Sequence, residues 1–427
     1  MKRLPIVAAL VCLFSASILQ PLRAQTPAQA QDGVRVFLDC NGVYCEEDYY
    51  QTEIPFVTHV RDRADADVHV LVTAEQTGAG ANEYTIAFLG QGRFAGDTAT
   101  LRHTGEPNAS QENERRGLAQ VIKLGLVRYV AQSPLGARLQ VTYSAPEQAA
   151  AAPGRDPWHH WTFSVSGNGF FNGEQSYSSR TIYGSVSASR ITDRWKLRIS
   201  ASADESSNRF ELDSVTEITN TQTGRSLSGL LVRSLGAHLS AGVNVSASKS
   251  SYYNQDMVLR VVPAVEYNVY PYSESTRRQL VLRYGVGPVA YRYEEETIFL
   301  KTEETRLQQS LIAALTTRQP WGTANVTAEG ASYLDNLKQN RLQLSGGVEL
   351  NLVRGLSFNI EGQYVRLRDQ LYLPAGEATD EEILLRRRQL ATGFRYFSFV
   401  GLSYTFGSRF SSVVNPRFSR GGGIIFN

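Results

Sequence analysis

A two-residue period, repeated along the C-terminal part of the chain, constrains the fold more than any other feature. Trp195, Leu197, Ile199, Ala201 and Ala203 alternate with Lys196, Arg198, Ser200, Ser202 and Asp204. Leu239, Ala241, Val243, Val245 and Ala247 alternate with Ser240, Gly242, Asn244 and Ser246. Leu342, Leu344, Gly346, Val348, Leu350 and Leu352 stand against Arg341, Gln343, Ser345, Glu349 and Asn351. Leu356, Phe358, Ile360 and Tyr364 stand against Ser357, Asn359, Glu361 and Gln363. Successive strand residues point to opposite faces, so each segment presents one apolar and one polar face. A helix cannot produce this period. Beyond residue 24 no run approaches the ~18 apolar residues of a transmembrane helix. A closed barrel is the other fold that satisfies every backbone group in lipid. Residues 157–407 are therefore expected to form an antiparallel transmembrane β-barrel.

Further segments centre near Trp161, Ile182, Leu230, Val261, Leu282, Ile312, Val326 and Leu402, which brings the count to about twelve. Around Leu230-Leu231 and Leu311-Ile312 both faces are apolar, and the facing stays open. Pro263 lacks the N–H that an interior ladder requires and predicts a bulge. Short connections at Asp193-Arg194, Gly236-Ala237, Gln319-Pro320 and Arg354-Gly355 alternate with longer ones around residues 205–223, 294–304 and 369–386. Outer-membrane barrels have short periplasmic turns and long outer loops. Trp158, Trp161, Trp195 and Trp321 fall at the short-turn ends, as membrane-interface aromatics would. Tyr252, Tyr253, Tyr291, Tyr293, Tyr333 and Tyr364 fall near the other ends and predict a second girdle. A soluble sandwich does not predict that sorting.

The N-terminus reads as an export signal. Lys2 and Arg3 precede an apolar run at residues 6–19, and Leu22-Arg23-Ala24 offers a cleavage site before Gln25. Residues 1–24 are the expected signal peptide, with Cys12 discarded in it, and 25–32 a Gln/Ala tether. The leader carries Lys2, Arg3 and Arg23, so its removal takes the formal net charge from +2 to −1. That balance gives no footprint for nucleic acid. Thirty-five Gly and 21 Tyr beside 2 Met suit a turn-rich β protein. Cys40 and Cys45 bracket Asn41-Gly42-Val43-Tyr44, and in an oxidising compartment such a pair reads as a disulfide.

Residues 33–144 alternate strand and helix patterns. Strands are expected at 34–38, 67–73, 83–90 and 98–103, with Gly78-Ala79-Gly80 as a turn. Residues 46–63 have helix-compatible apolar spacing interrupted by Pro55. Asn108 is an expected N-cap for a helix over 112–130, buried through Leu118, Val121, Ile122, Leu124, Gly125 and Tyr129. Residues 145–156, with an Ala run and Pro153-Gly154, form a linker. The β-α-β-β-β-α order, with Ala64-Asp65-Ala66-Asp67-Val68-His69-Val70-Leu71-Val72 opening the second strand, resembles the N-terminal domain of the Tol translocation protein TolB and of related outer-membrane assembly factors. The resemblance covers about a hundred residues and implies periplasmic protein contact rather than catalysis. Val400-Gly401-Leu402-Ser403-Tyr404-Thr405-Phe406 resembles the terminal signal read by the barrel-assembly machinery. Such signals often end a chain, whereas here a tail or plug at 408–427 follows. Gly423-Ile424-Ile425-Phe426-Asn427 is a second match.

Arg198, Arg260, Glu266, Arg283, Arg341, Glu349 and Glu361 fall on the polar faces and are the pore-lining residues expected of such a barrel. They fit either a charged selectivity ladder or pairs that fill a narrow interior. Glu294-Glu295-Glu296, Glu303-Glu304 and Asp380-Glu381-Glu382 match no calcium-loop spacing and read as solvated loops. Arg386-Arg387-Arg388 reads equally as a lipopolysaccharide phosphate contact or as plain surface charge. Twelve-stranded barrels include an outer-membrane phospholipase, but His159-His160 have no serine partner on an outer-rim strand, and His59, His69, His103 and His238 are dispersed. No catalytic or metal-binding residue and no cofactor is assigned. The expected function is a non-enzymatic, outer-membrane small-solute channel with a periplasmic docking domain. The alternative is a structural or assembly protein whose barrel anchors a partner-binding domain. Expected partners are outer-membrane lipid and lipopolysaccharide, the assembly machinery during biogenesis, and a periplasmic protein.

Overall fold

The computed structural model describes residues 33–40, 43, 45–107, 109–142, 156–211, 217–353, 355–376 and 390–407. The expected signal peptide, tether, most of the linker, the Asn108 cap, Arg354, the acidic run at 380–382, Arg386-Arg387-Arg388 and the tail lie outside the described residues.

The N-terminal region is a mixed five-stranded sheet with two α-helices. Its elements are β1 (Arg35–Cys40), α1 (Glu47–Glu53), β2 (Thr58–His59), β3 (Val68–Gln76), β4 (Asn82–Gly90), β5 (Thr98–Thr104) and α2 (Gln111–Val130). The sheet order is β2-β1-β3-β4-β5, with β1 parallel to β2 and β3 and the rest antiparallel. The helix expected over 46–63 stops at Glu53. Ile54 precedes Pro55 and leaves the helical region at φ −121°, ψ 62°, as the proline ring requires of its predecessor. The chain then returns as β2. One core joins Val36, Val68, Val70, Ile86 and Phe88 of the sheet to Tyr50 and Ile54 of α1 and to Leu118, Ile122, Leu126 and Tyr129 of α2.

Ser110 caps α2 by accepting from the Asn113 amide at 3.2 Å. Leu124, expected in the buried stripe, is 60% exposed. It lies two positions after Ile122, about 200° round the helix. Gly125 lies flat on Phe88, and a Cβ there would come 2.0 Å from the ring.

Cys40 and Cys45 form a disulfide between the end of β1 and the start of α1. Loop entropy for so short a closure gives about 2 kcal/mol. Replacing both cysteines by serine is expected to remove that amount. Denaturant unfolding of the full chain, followed by amide exchange in β1, measures it.

Twelve strands follow: β6 (Trp161–Gly173), β7 (Tyr177–Ile191), β8 (Trp195–Glu211), β9 (Glu217–Ser234), β10 (Leu239–Ser250), β11 (Gln255–Asn268), β12 (Arg278–Tyr293), β13 (Glu303–Gln319), β14 (Gly322–Tyr333), β15 (Asn336–Val353), β16 (Leu356–Leu367) and β17 (Phe394–Tyr404). Each pairs antiparallel with the next in a single sheet. Among the described residues β6 and β17 are its two edges and are not hydrogen-bonded to each other.

The register resolves both ambiguous segments. Leu231 pairs with Leu197 and Val243, and Leu311 with Tyr284, all on the apolar face. Leu230 and Ile312 therefore join the polar face. The expected loop at 205–223 is largely ladder, since β8 and β9 stay paired from Glu205 to Glu211. Ser207 and Thr221 bond hydroxyl to hydroxyl across the two strands there at 3.2 Å. Pro263 produces no bulge. It stays in register with Val243 of β10, while on the β12 side the pairs skip from Arg260–Val289 to Ala264–Gly285 without a shift. The missing N–H is absorbed as a local opening of one ladder.

Candidate functional site

The apolar face runs unbroken across neighbouring strands. Ala188, Ile199 and Gly229 are in register, as are Ala328 with Leu344, Leu344 with Tyr364, and Tyr364 with Tyr396. Many of its large residues are open, among them Val186, Leu307, Leu311 and Leu402. The opposite face is hydroxylic and charged. Ser166–Ser185 (2.7 Å), Ser200–Ser228 (2.8 Å) and Ser202–Ser226 (2.8 Å) bond across strands. No helix among the described residues is long and apolar enough to cross a membrane.

Strand parity places Arg198, Arg260, Glu266, Arg283, Arg341, Glu349 and Glu361 on this polar face. Glu266 and Arg283 pair at 2.5 Å, and Glu266 also accepts from the Tyr272 hydroxyl at 3.0 Å. Arg341 pairs at 3.2 Å with Asp369, which follows β16. The structure brings no other two of the seven together as an ion pair.

Tyrosine placement differs from the expected outer girdle. Tyr291, Tyr293 and Tyr333 share parity with Arg283 and Glu329, so they face the polar side and are buried against Leu371, Tyr372 and Leu373, with Tyr253 packed alongside. Tyr364 alone of these strand tyrosines lies on the apolar face, 42% exposed. The four tryptophans cluster at the short-connection end. Trp158, Trp195 and Trp321 are exposed and Trp161 half-buried.

The N-terminal domain docks on that same end. The Ser189 hydroxyl donates to the Gly78 carbonyl at 3.3 Å, and the Ser275 hydroxyl to Glu75 at 3.3 Å. The Gly355 amide donates to Asp62 at 2.6 Å, and Arg63 to the Pro320 carbonyl. Four separate strand ends are thereby tied to one domain. The Gly78 tip of the β3–β4 hairpin lies against polar-face Ile191, whose Cβ would be 2.5 Å from an added side chain. A cavity of about 540 Å³ remains between Phe37, His59 and Asp62 on one side and Leu352 and Leu356 on the other. The helix-free face of the domain's sheet turns toward the strand ends. Its Leu71, Thr73 and Thr85 are buried although no helix covers them.

Two titratable groups shape the docked domain. Burial alone would push the Asp67 carboxyl up. Hydrogen bonds from Arg35 to both of its oxygens, with the charges of Arg35 and Arg93, outweigh this and hold it below the ordinary carboxylate range. Burial lowers the His59 imidazole, against the opposing pull of its 3.1 Å hydrogen bond to the Ile54 carbonyl. The unfolded chain keeps the ordinary histidine value near 6.5. The folded domain is therefore expected to be fully stable above about pH 6.5 and to lose stability as pH falls from there toward the lower folded value. Amide exchange in β1 and β3 measures this, and His59→Gln is expected to flatten the profile between pH 7 and 5.

His159 and His160 lie ahead of β6 in the left-handed region, at φ 48° and 68°. Asp156 fixes that turn by accepting from the Trp158 and His160 amides. Among the described residues no group of three or more His, Cys, Asp or Glu is placed to hold a metal.

No family profile matches the chain, and no curated protein does. Among solved structures it is similar to the translocator domain of the autotransporter NalP from Neisseria meningitidis, at 13% identity and a TM-score of 0.17, over 58% of this chain and 82% of that one. At that similarity the functional reading rests on the chain's own residues.

Proposed function

We propose that this is an integral outer-membrane β-barrel that passes small solutes, with its N-terminal domain docked over the periplasmic mouth. One observation carries the reading: a single twelve-stranded antiparallel sheet is apolar and open on one face, and hydroxylic and ion-paired on the other. Lipid on one side and a wet lumen on the other demand that division. In this reading β6 and β17 pair to close the sheet. Strand number twelve runs opposite to strand number one, so their pairing is antiparallel like every other in the sheet. Closure also removes two apolar edges, where Val165 is 82% and Leu402 69% exposed. Expected partners are the lipid and lipopolysaccharide around the barrel and the assembly machinery that inserts it. Purified full-length chain in planar bilayers is expected to give discrete conductance steps. A folded chain silent at every voltage and pH would sink the channel reading.

The tying of four strand ends to one domain favours a second reading. In it the barrel is an anchor, and the TolB-like domain meets a cell-envelope protein. Pull-down with and without residues 33–144 separates the two, since an unchanged partner set argues against docking.

A further inference from the structure

The end of the sheet away from the docked domain holds a charged, partly open chamber. The chain leaving β16 crosses the polar face through residues 368–376. Asn254 Nδ2 donates to the Tyr372 carbonyl at 3.1 Å, the Ile298 amide to the Leu373 carbonyl at 2.8 Å, and the Ala375 amide to the Glu296 carbonyl at 2.7 Å. Leu371 and Leu373 pack with Val258, Val289 and Tyr291, and Tyr253 meets Tyr372 edge-on at 5.2 Å. This strap is therefore fixed to the β10–β11 and β12–β13 connections, not merely draped over the face.

Beneath it lies a cavity of about 420 Å³. Arg260 of β11, Arg341 of β15 and Arg395 of β17 line it together with Glu329 and Asp369. Asp369 answers Arg341. Arg260 and Arg395 have no carboxylate partner within ion-pair distance among the described residues. The Arg260 Nε is shut off from solvent and has no acceptor. That nitrogen is sealed from the cavity, so a ligand there can meet Arg260 only through its two Nη groups. The walls beside it are aromatic. Tyr291 and Tyr333 are joined hydroxyl to hydroxyl at 2.8 Å, and Tyr372 of the strap lines the cavity with them. The volume falls within the range of about 300–1,000 Å³ typical of small-ligand sites.

We infer that this chamber binds a small aromatic carboxylate. The carboxylate meets the planar fork of Arg260, which matches it with two parallel donors, and Arg395 adds charge. The ring lies among the tyrosines. This site rests on the polar face enclosing a lumen, as proposed above, but not on solute passing through it.

The test is titration calorimetry of the full-length chain in detergent micelles, with benzoate, benzamide and inorganic phosphate as probes. Benzoate is expected to bind. Benzamide, which has the ring without the charge, and phosphate, which has the charge without the ring, are each expected to bind at least tenfold more weakly. Arg260→Gln is expected to weaken benzoate at least tenfold, and Arg260→Lys to fall between. Arg198→Gln, on the same face outside the chamber, is expected to leave benzoate affinity within twofold. A heat-dependent gel shift establishes that each variant is folded. Failure of benzoate to bind, phosphate binding the more tightly, or equal affinity in folded Arg260→Gln would overturn the site. Arg260-dependent binding in a chain that carries no current keeps the site and removes the channel. Conductance without benzoate binding does the reverse.

Discussion

Arginine at Leu344 is expected to cost the folded chain about 2–4 kcal/mol in phospholipid, whereas arginine at the adjacent Gln343 should change stability by no more than about 0.5 kcal/mol. Leu344 lies on the apolar face between Ala328 and Tyr364, midway along β15, and is 49% exposed. In lipid, that exposure becomes contact with acyl chains, and a guanidinium there loses its hydration. Gln343 points to the polar side and pairs across the ladder with Glu329, so an arginine there meets a carboxylate. Urea equilibrium between the folded chain in bilayers and the unfolded chain measures both substitutions. Equal small costs would mean that the apolar face does not meet lipid.

Phe88→Ala should produce the second large effect, a loss of about 3–5 kcal/mol in the N-terminal domain. Its ring is fully buried and bears on Gly125 of α2, and the Tyr129 hydroxyl donates to the Phe88 backbone carbonyl at 3.3 Å. A domain of this size is stable by about 5–15 kcal/mol in total, so the loss leaves it marginal. Gly125→Ala tests the same contact from the other side. Alone it forces the helix off the ring, and in a Phe88→Leu background much of its cost should vanish, because leucine leaves room for the methyl group. Amide exchange across β3 and β4 of the full-length chain reads Phe88→Ala, Phe88→Leu, Gly125→Ala and the Phe88→Leu/Gly125→Ala double variant. Additive effects would contradict the direct contact.

The period-two segments were legible because strand geometry is local. Leu342 to Leu352 declare their face without reference to any partner, and the twelve segments they exemplify all become strands. The same rule, carried one step further, also places Tyr291 and Tyr293. They share parity with Arg283, so they face the polar side. Proximity to a strand end gave no information about facing and pointed to the wrong surface. At 46–63 the apolar spacing fits a helix and Pro55 already marks the break, but a two-residue strand such as β2 has no periodic signal. The long-range contacts are the least readable. Asp62 to Gly355, Gly78 to Ser189 and Asn254 to Tyr372 join residues more than a hundred positions apart. No local pattern announces them. The charged residues of the polar face were readable as a set, but which of them share the chamber depends on how β11, β15 and β17 are brought to a common space.

A spin-label accessibility scan along β15, from Arg341 to Leu352 in phospholipid vesicles, reads which face of the sheet meets lipid. Labels at even positions are expected to collide with dissolved oxygen and those at odd positions with a water-soluble nickel chelate, in strict alternation. Contact with the nickel chelate at both parities, or the absence of a two-residue period, would contradict it.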